Sequence, residues 1–195
     1  SYTIMPGEYM FKIVQFEPET ETHIAYPFSI SDENAAKIAK YPTFFAQNIY
    51  ANESKKRIMI SMFYLDAYYL YDFDGKLLKE FHLETDDFDV NKAASQFFDP
   101  NKSGYIMNSY GYATNRYCYL RRIHYKKDME SNREITVGND IVKVDWNGNP
   151  IAIIKLPVTN ESFCIDSNED IIAIDNITHG EDKETFSIIK YRVAK

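Results

Sequence analysis

YLYDFDGKLLKEFHL, residues 69–83, reads as two short strands around a tight turn, and the turn is its most informative part. Asp74-Gly75 stands between apolar-rich flanks, and a short Asp-Gly connection is a strong hairpin signal because glycine accepts a positive φ at little cost. The wording recurs downstream. IVKVDWNGNPIAIIKL, residues 141–156, lays over the first stretch with Gly148 on Gly75, Asp145 on Asp72, Trp146 on Phe73, Asn147 on Asp74 and Leu156 on Leu83. Two stretches fit more loosely. In residues 11–28, Glu17-Pro18-Glu19-Thr20 takes the place of the glycine turn, and residues 186–193 supply a first strand only.

A second element repeats as well. IYANESKKRIMIS (49–61), FFDPNKSGYIMNS (97–109) and CIDSNEDIIAIDN (164–176) each run from apolar residues through Asn52, Asp99 or Asp166 and a polar turn into a β-rich run. This element precedes the first kind by 20 residues (Asn52 to Asp72) or by 46 (Asp99 to Asp145). Two hairpins in alternation make a four-stranded unit, and long-period repetition of such units is the mark of a β-propeller. The fold expected is therefore all-β, a propeller built of four-stranded antiparallel blades, partial, with three to four blades. The alternative is a sandwich of unrelated hairpins.

Composition agrees with that reading. The 195 residues are 45% apolar and 15% aromatic, with 16 Tyr and 13 Phe. That suffices for a sizeable core in one domain, residues 1–195, and these residue types favour a pleated, half-buried surface. SDENAAKIAKYP, from Ser31 to Pro42, is the one segment with helix signals: Ser31 as N-cap, acids in the first turn and Pro42 as the stop. NKAAS, beginning at Asn91, suits a further single turn. No apolar run approaches the roughly 20 residues of a membrane-spanning helix.

The Asp-aromatic-Asn/Asp-Gly turn, the preceding apolar-x-Asp element and the closing IIKYRV together resemble the TolB-like six-bladed propellers of Bacteroidetes. The likeness runs over most of residues 9–193 and is strongest in YLYDFDGKLLKEF and IVKVDWNGNPIAIIKL. It implies a periplasmic or cell-surface protein and brings no catalytic motif. Six blades of about 45 residues each need roughly 270 residues, so this length implies either part of a longer chain or another mode of closure. The last strand, FSIIKYRV, lacks a returning partner. An open propeller is thus expected, whose exposed sheet edges meet a second copy or upstream residues.

Several constellations resemble chemical sites. DPNKSGYIMNSY (99–110) matches the first half of a calcium loop at Asp99, Asn101, Ser103 and Gly104, but places Tyr110 where a bidentate Glu completes the coordination; it reads as a plain turn, with no metal. His23, His82, His124 and His179 lack the close spacing of a zinc site. His82, aligned with Lys155, is expected in solvent. Cys118 and Cys164 read as small core residues. Glu84, Asp86, Asp87 and Asp89 form a solvated connector rather than paired catalytic carboxylates. No phosphate loop, nucleophile elbow or Cys-x-x-Cys occurs, and no cofactor is implied.

The most distinctive run is YGYATNRYCYLRRIHYKK, 110–127, where five tyrosines interleave with Arg116, Arg121, Arg122, Lys126 and Lys127. Aromatics beside cations stack on bases in single-strand binders. Against nucleic acid stand a net charge of −7 and a pI near 5.1, because the overall field repels polyanions. The alternation also suits an ordinary strand with one polar face. Tyrosine's apolar face and hydroxyl tip suit glycan or peptide surfaces, so Tyr110, Tyr112 and Arg116 are the candidate ligand contacts. The function expected is a non-enzymatic binding or scaffold propeller with a glycan or protein partner. The alternative is a propeller hydrolase or lyase with a metal at its central channel.

Overall fold

The computed structural model describes residues 9–192 apart from 17–18, 85, 100, 129–130, 132, 159 and 179–183. Among the described residues the chain forms four consecutive antiparallel sheets, each joined up and down in sequence order. The first pairs β1 (Tyr9–Phe16) with β2 (Glu19–Ala25). The second holds β3 (Gln47–Asn52), β4 (Arg57–Met62), β5 (Tyr68–Asp72) and β6 (Leu77–Phe81). The third holds β7 (Gly104–Ala113), β8 (Tyr117–Lys127), β9 (Glu134–Asp145) and β10 (Pro150–Leu156). The fourth holds β11 (Asn160–Ile165), β12 (Ile171–Thr178) and β13 (Glu184–Tyr191). Two helices, α1 (Asp32–Ile38) and α2 (Val90–Phe97), lie in the connections before and after the second sheet.

The repeated turn forms as its residues demand, one residue longer than the Asp-Gly pair. Between β5 and β6, Gly75 N donates to Asp72 O (3.2 Å) and Asp72 N donates to Lys76 O (3.1 Å). Asp72 Oδ1 accepts from the backbone of Asp74 (3.1 Å) and of Lys76 (2.9 Å). The chain then reverses at Gly75, with φ of 82°, where a Cβ is strained. Between β9 and β10, Asp145 accepts from Asn147 N and Asn149 N, both at 2.9 Å, and Gly148 has φ of 77°. A third copy closes β11 onto β12: Asp166 accepts from Asn168 N (2.8 Å) and Asp170 N (3.0 Å). There Glu169, at φ 66°, stands in the glycine position.

The second repeated element is two-thirds right. Asn52 and Asp166 head the first hairpins of their sheets, as the spacing predicts. In the third sheet that place belongs to Thr114, whose Oγ1 accepts from Arg116 N (3.2 Å) and Tyr117 N (3.0 Å). Asp99 instead follows α2 and precedes β7, its Oδ1 holding Asn101 N at 2.8 Å. The stretch 99–110 is consequently no twelve-residue loop, because from Gly104 onward it is strand.

Both helices carry side-chain caps. Ser31 accepts from Asn34 N, as expected, and Asp89 accepts from Asn91 N (2.7 Å) and Lys92 N (3.1 Å). The second runs eight residues rather than a single turn. Val90 and Ala94 are buried in the core, and tertiary burial of that face supplies what local propensity lacks. Asn34 Nδ2 donates to Asn91 O (3.0 Å) and ties the two helices together.

Successive sheets pack face to face. Ile58, Ile60, Tyr69 and Tyr71 face the first sheet and the helices, meeting Phe11, Ile24, Phe44 and Val90. The alternate residues Met59, Tyr68 and Leu70 face the third sheet, against Cys118, Leu120, Val142 and Trp146. Tyr119 and Ile141, on the other side of the third sheet, meet Ile165, Ile171 and Ala173 of the fourth. Central strands sandwiched on both faces therefore read as near-continuous apolar runs. Along one seam the contacts are polar. Asn48 on β3 donates to Asn108 O (3.2 Å) and Ser109 O (3.0 Å) on β7. Asn108 donates back to Met62 O (2.6 Å) and Leu65 O (2.9 Å) and accepts from the Tyr68 hydroxyl (2.7 Å).

Candidate ligand-binding cleft

At the end of the third sheet where Lys127 of β8 pairs with Glu134 of β9, opposite the β7–β8 and β9–β10 turns, lies a cleft of ≈ 360 Å³, lined by Asp99, Lys102, Gly104, Tyr105, Lys126, Lys127 and Glu134. Its walls follow from the register. Gly104 pairs with Lys126 and Tyr105 with Tyr125 across β7 and β8, while Lys127 faces Glu134 across β8 and β9. Lys127 N donates to Ser103 O (2.9 Å), carrying the pairing one residue beyond the strand. Gly104 has no room for a side chain: a Cβ there would lie 2.3 Å from Tyr125 O. That close approach brings the Lys102 loop against the end of β8.

Aromatic rings hold the Lys102 cation in place. Tyr105 stacks on Tyr125 with ring centroids 5.0 Å apart and meets Phe97 (5.9 Å) and Tyr64 (6.0 Å) edge-on. Lys102 Nζ sits 4.0 Å from the Phe97 ring centroid and 4.5 Å from that of Tyr105, a cation–π arrangement. Burial pulls the Lys102 ammonium below its ordinary pKa, only partly offset by Glu134. The Tyr105 hydroxyl donates to Glu134 Oε2 (3.0 Å), and burial together with that carboxylate pushes its pKa well up. Tyr105 is therefore a neutral donor at all physiological pH. The hydroxyl–carboxylate pair of this set is Tyr105 with Glu134, standing beside the three lysines.

Tyr110, Tyr112 and Arg116 do not line this cleft. They lie along β7 and the β7–β8 turn, towards the other end of the sheet. Tyr110 is 76% exposed and meets Phe63 edge-on at 6.0 Å. Tyr112 pairs across with Tyr119. Arg116 forms an ion pair with Glu169 (2.9 Å) and lies over the Tyr117 ring. The distinctive run contributes its last residues, Lys126 and Lys127, to the cleft. Lys102 comes from 24 residues before Lys126, and nothing in the local pattern announces that meeting.

Other sequence candidates have structural employment. The side chains of Arg121 and Arg122 are interior, so β8 has no polar face of the kind expected. Arg121 Nε donates to Asn139 Oδ1 (3.1 Å), and Arg122 Nη2 donates to Glu84 Oε1 (2.6 Å). Burial works against the Arg122 charge, but Tyr68, Glu84 and Asp66 outweigh it and raise its pKa. Glu84 pairs with Arg122 and Asp89 caps α2, while Glu84, Asp86, Asp87 and Asp89 are all exposed, as expected of a solvated connector. His82 is not in solvent either. It stacks on Phe88 at 4.5 Å and contacts Asp66 O (2.5 Å) and Glu80 Oε1 (3.1 Å). His124 lies 2.9 Å from Asp140, His23 lies 2.6 Å from Glu21, and His179 falls outside the described residues. Cys118 is buried, as expected, and burial raises its pKa; Cys164 is exposed, because β11 is an edge strand. Among the described residues no group of three or more His, Cys, Asp or Glu is placed to hold a metal ion, and no helix is long and apolar enough to cross a membrane.

No family model and no curated protein matches the sequence. The structure is similar to the crystal structure of a DUF4221 family member from Bacteroides vulgatus ATCC 8482, with a TM-score of 0.51 and 11% sequence identity. The likeness is one of fold. It covers 95% of this chain and 56% of that one, so the chain spans little more than half the length of its structural neighbour. An all-β architecture of a kind found in Bacteroides is what the comparison supports.

Proposed function

We propose that this chain is a non-enzymatic binding module built as part of a TolB-like β-propeller, acting outside the cytoplasm on a glycan or protein partner. The propeller reading is supported by the order of the sheets, each one packed on the next, and by the side-by-side placement of β3 and β7, the first strands of successive sheets. In a propeller the first strand of every blade lies at the central channel. The extracytoplasmic location rests on the resemblance to exported Bacteroidetes propellers, and cell fractionation with an antibody to this chain tests it.

The observation that carries the binding reading is the cleft between α2–β7 and β8–β9, where three lysines and aromatic rings converge. Its volume falls within the range of roughly 300–1,000 Å³ typical of small-ligand sites. The test is calorimetric titration of the full chain with a panel of oligosaccharides and peptides. Binding that is lost in Lys102→Met supports the cleft. Binding lost instead in Tyr112→Ala and Arg116→Ala moves the site along the sheet to the tyrosine run. Turnover of glycoside, ester or uronide substrates by the purified chain would replace the binding reading with the hydrolase or lyase alternative.

A further inference from the structure

The lining of the cleft narrows its ligand further, on the footing that the cleft is the binding site. Lys102, Lys126 and Lys127 converge there, and none of the three forms an ion pair among the described residues. Three cations in one hollow, against two carboxylates, run against the net charge of −7 carried by the whole chain. Lys102 is the most exposed to consequence: its ammonium rests on two aromatic faces and is partly stripped of water. A cation in that state gains more from an anion than a fully hydrated surface lysine does.

The same lining holds Asp99 and Glu134. Glu134 takes the Tyr105 hydroxyl on Oε2, which leaves Oε1 to accept from a ligand, and Asp99 uses Oδ1 on its own turn. Two carboxylates beside three lysines repel a polyanion such as an acidic peptide or a nucleic acid strand. They suit a ligand that brings an isolated negative charge together with several hydroxyl donors. We infer that the cleft binds an anionic saccharide, with its carboxylate or sulfate among the three lysines and its hydroxyls on Asp99 and Glu134. Lysine is a point charge rather than a planar fork, so the cleft itself does not choose between carboxylate and sulfate.

Four probes in titration calorimetry of the full chain decide the matter: sialyllactose with its single carboxylate, a monosulfated galactobiose, neutral galactotriose and hexaglutamate. One or both charged saccharides bind, and whichever does identifies the anion. Affinity falls about tenfold in Lys102→Met and again in Lys126→Ala, as expected for loss of one charge-assisted contact, and it falls with added salt. Lys126 is exposed, so its variant folds, and circular dichroism confirms that for both. Galactotriose binding as tightly as the charged sugars, or charged-sugar binding unchanged in both variants, overturns the inference while leaving a binding module. Hexaglutamate binding above either saccharide does the same and makes the partner an acidic protein. Silence from all four probes overturns the inference, and silence across the wider panel removes the binding reading as well.

Discussion

An aspartate that folds its carboxylate back onto two backbone N–H groups is the smallest unit of this fold. At Asp72 and Asp145 it was legible, because a glycine three residues on announces the left-handed position. At Asp166 the same geometry holds with Glu169 in that position, and Lys56 also has positive φ, at 53°. Composition gives no sign of left-handed backbone on such residues. Gly75→Ala should cost about 2–3 kcal/mol in urea unfolding, since the backbone is strained and the new Cβ would sit 2.2 Å from Ile24 Cδ1. Lys56→Gly should instead stabilise by about 0.5 kcal/mol, the relieved strain exceeding glycine's added unfolded-state entropy. The turn also makes stability depend on acid. Burial raises the Asp145 carboxyl, but hydrogen bonds from Asn149 and Asn147 outweigh it and hold it below the ordinary 3.8. A lowered folded-state pKa gives stability that is full above the unfolded-state value and lost as pH falls through the folded one. Asp145→Asn keeps an acceptor without the charge. Its urea midpoint should therefore fall less steeply than that of the parent between pH 4 and pH 2.

Elements were easier to foresee than the joints between them. The alternation of apolar residues gave the strands, and the cap at Ser31 gave the first helix, because both signals are local. What joins the sheets is not local. Arg121 and Arg122 look like a basic surface until the fold buries both, with partners on β9, at the Asn160 carbonyl and at Glu84, 18 to 39 residues away. Asp99 was matched to Asn52 for a related reason. Each begins a polar turn, and only the paired strands reveal that Thr114 fills the equivalent place. The joint between the second and third sheets depends on Asn108, 2% exposed, with two donated bonds and one accepted. Asn108→Ala leaves two carbonyls and the Tyr68 hydroxyl unsatisfied in the interior. The expected loss is about 3 kcal/mol, whereas an exposed asparagine such as Asn147 should cost well under 1 kcal/mol when replaced by serine. Equal losses at the two positions in thermal unfolding would remove the seam as a joint.

Across the whole molecule, the Gly148 turn and the lysine cleft sit at opposite ends of the third sheet. The cleft was invisible in sequence because its walls come from the loop after α2 and from the far ends of β8 and β9. Edges are the other property that appears only at this scale. Among the described residues, β13 of the fourth sheet pairs with β12 alone, whereas the second and third sheets add a fourth strand at the corresponding place. Phe186 and Ile188, alternate residues of β13, are 59% and 78% exposed, and Ile174, paired with Ile188, is 39% exposed. Unpaired backbone with apolar side chains beside it is the combination that soluble proteins cover. The isolated chain should accordingly self-associate through β13, with light scattering giving a mass above the 22.8 kDa of one copy at micromolar concentration. Phe186→Lys with Ile188→Lys places two charges on that edge and should return the mass to one copy without shifting the unfolding midpoint by more than about 1 kcal/mol. A parent chain that already runs as a stable monomer would show that β13 needs no partner.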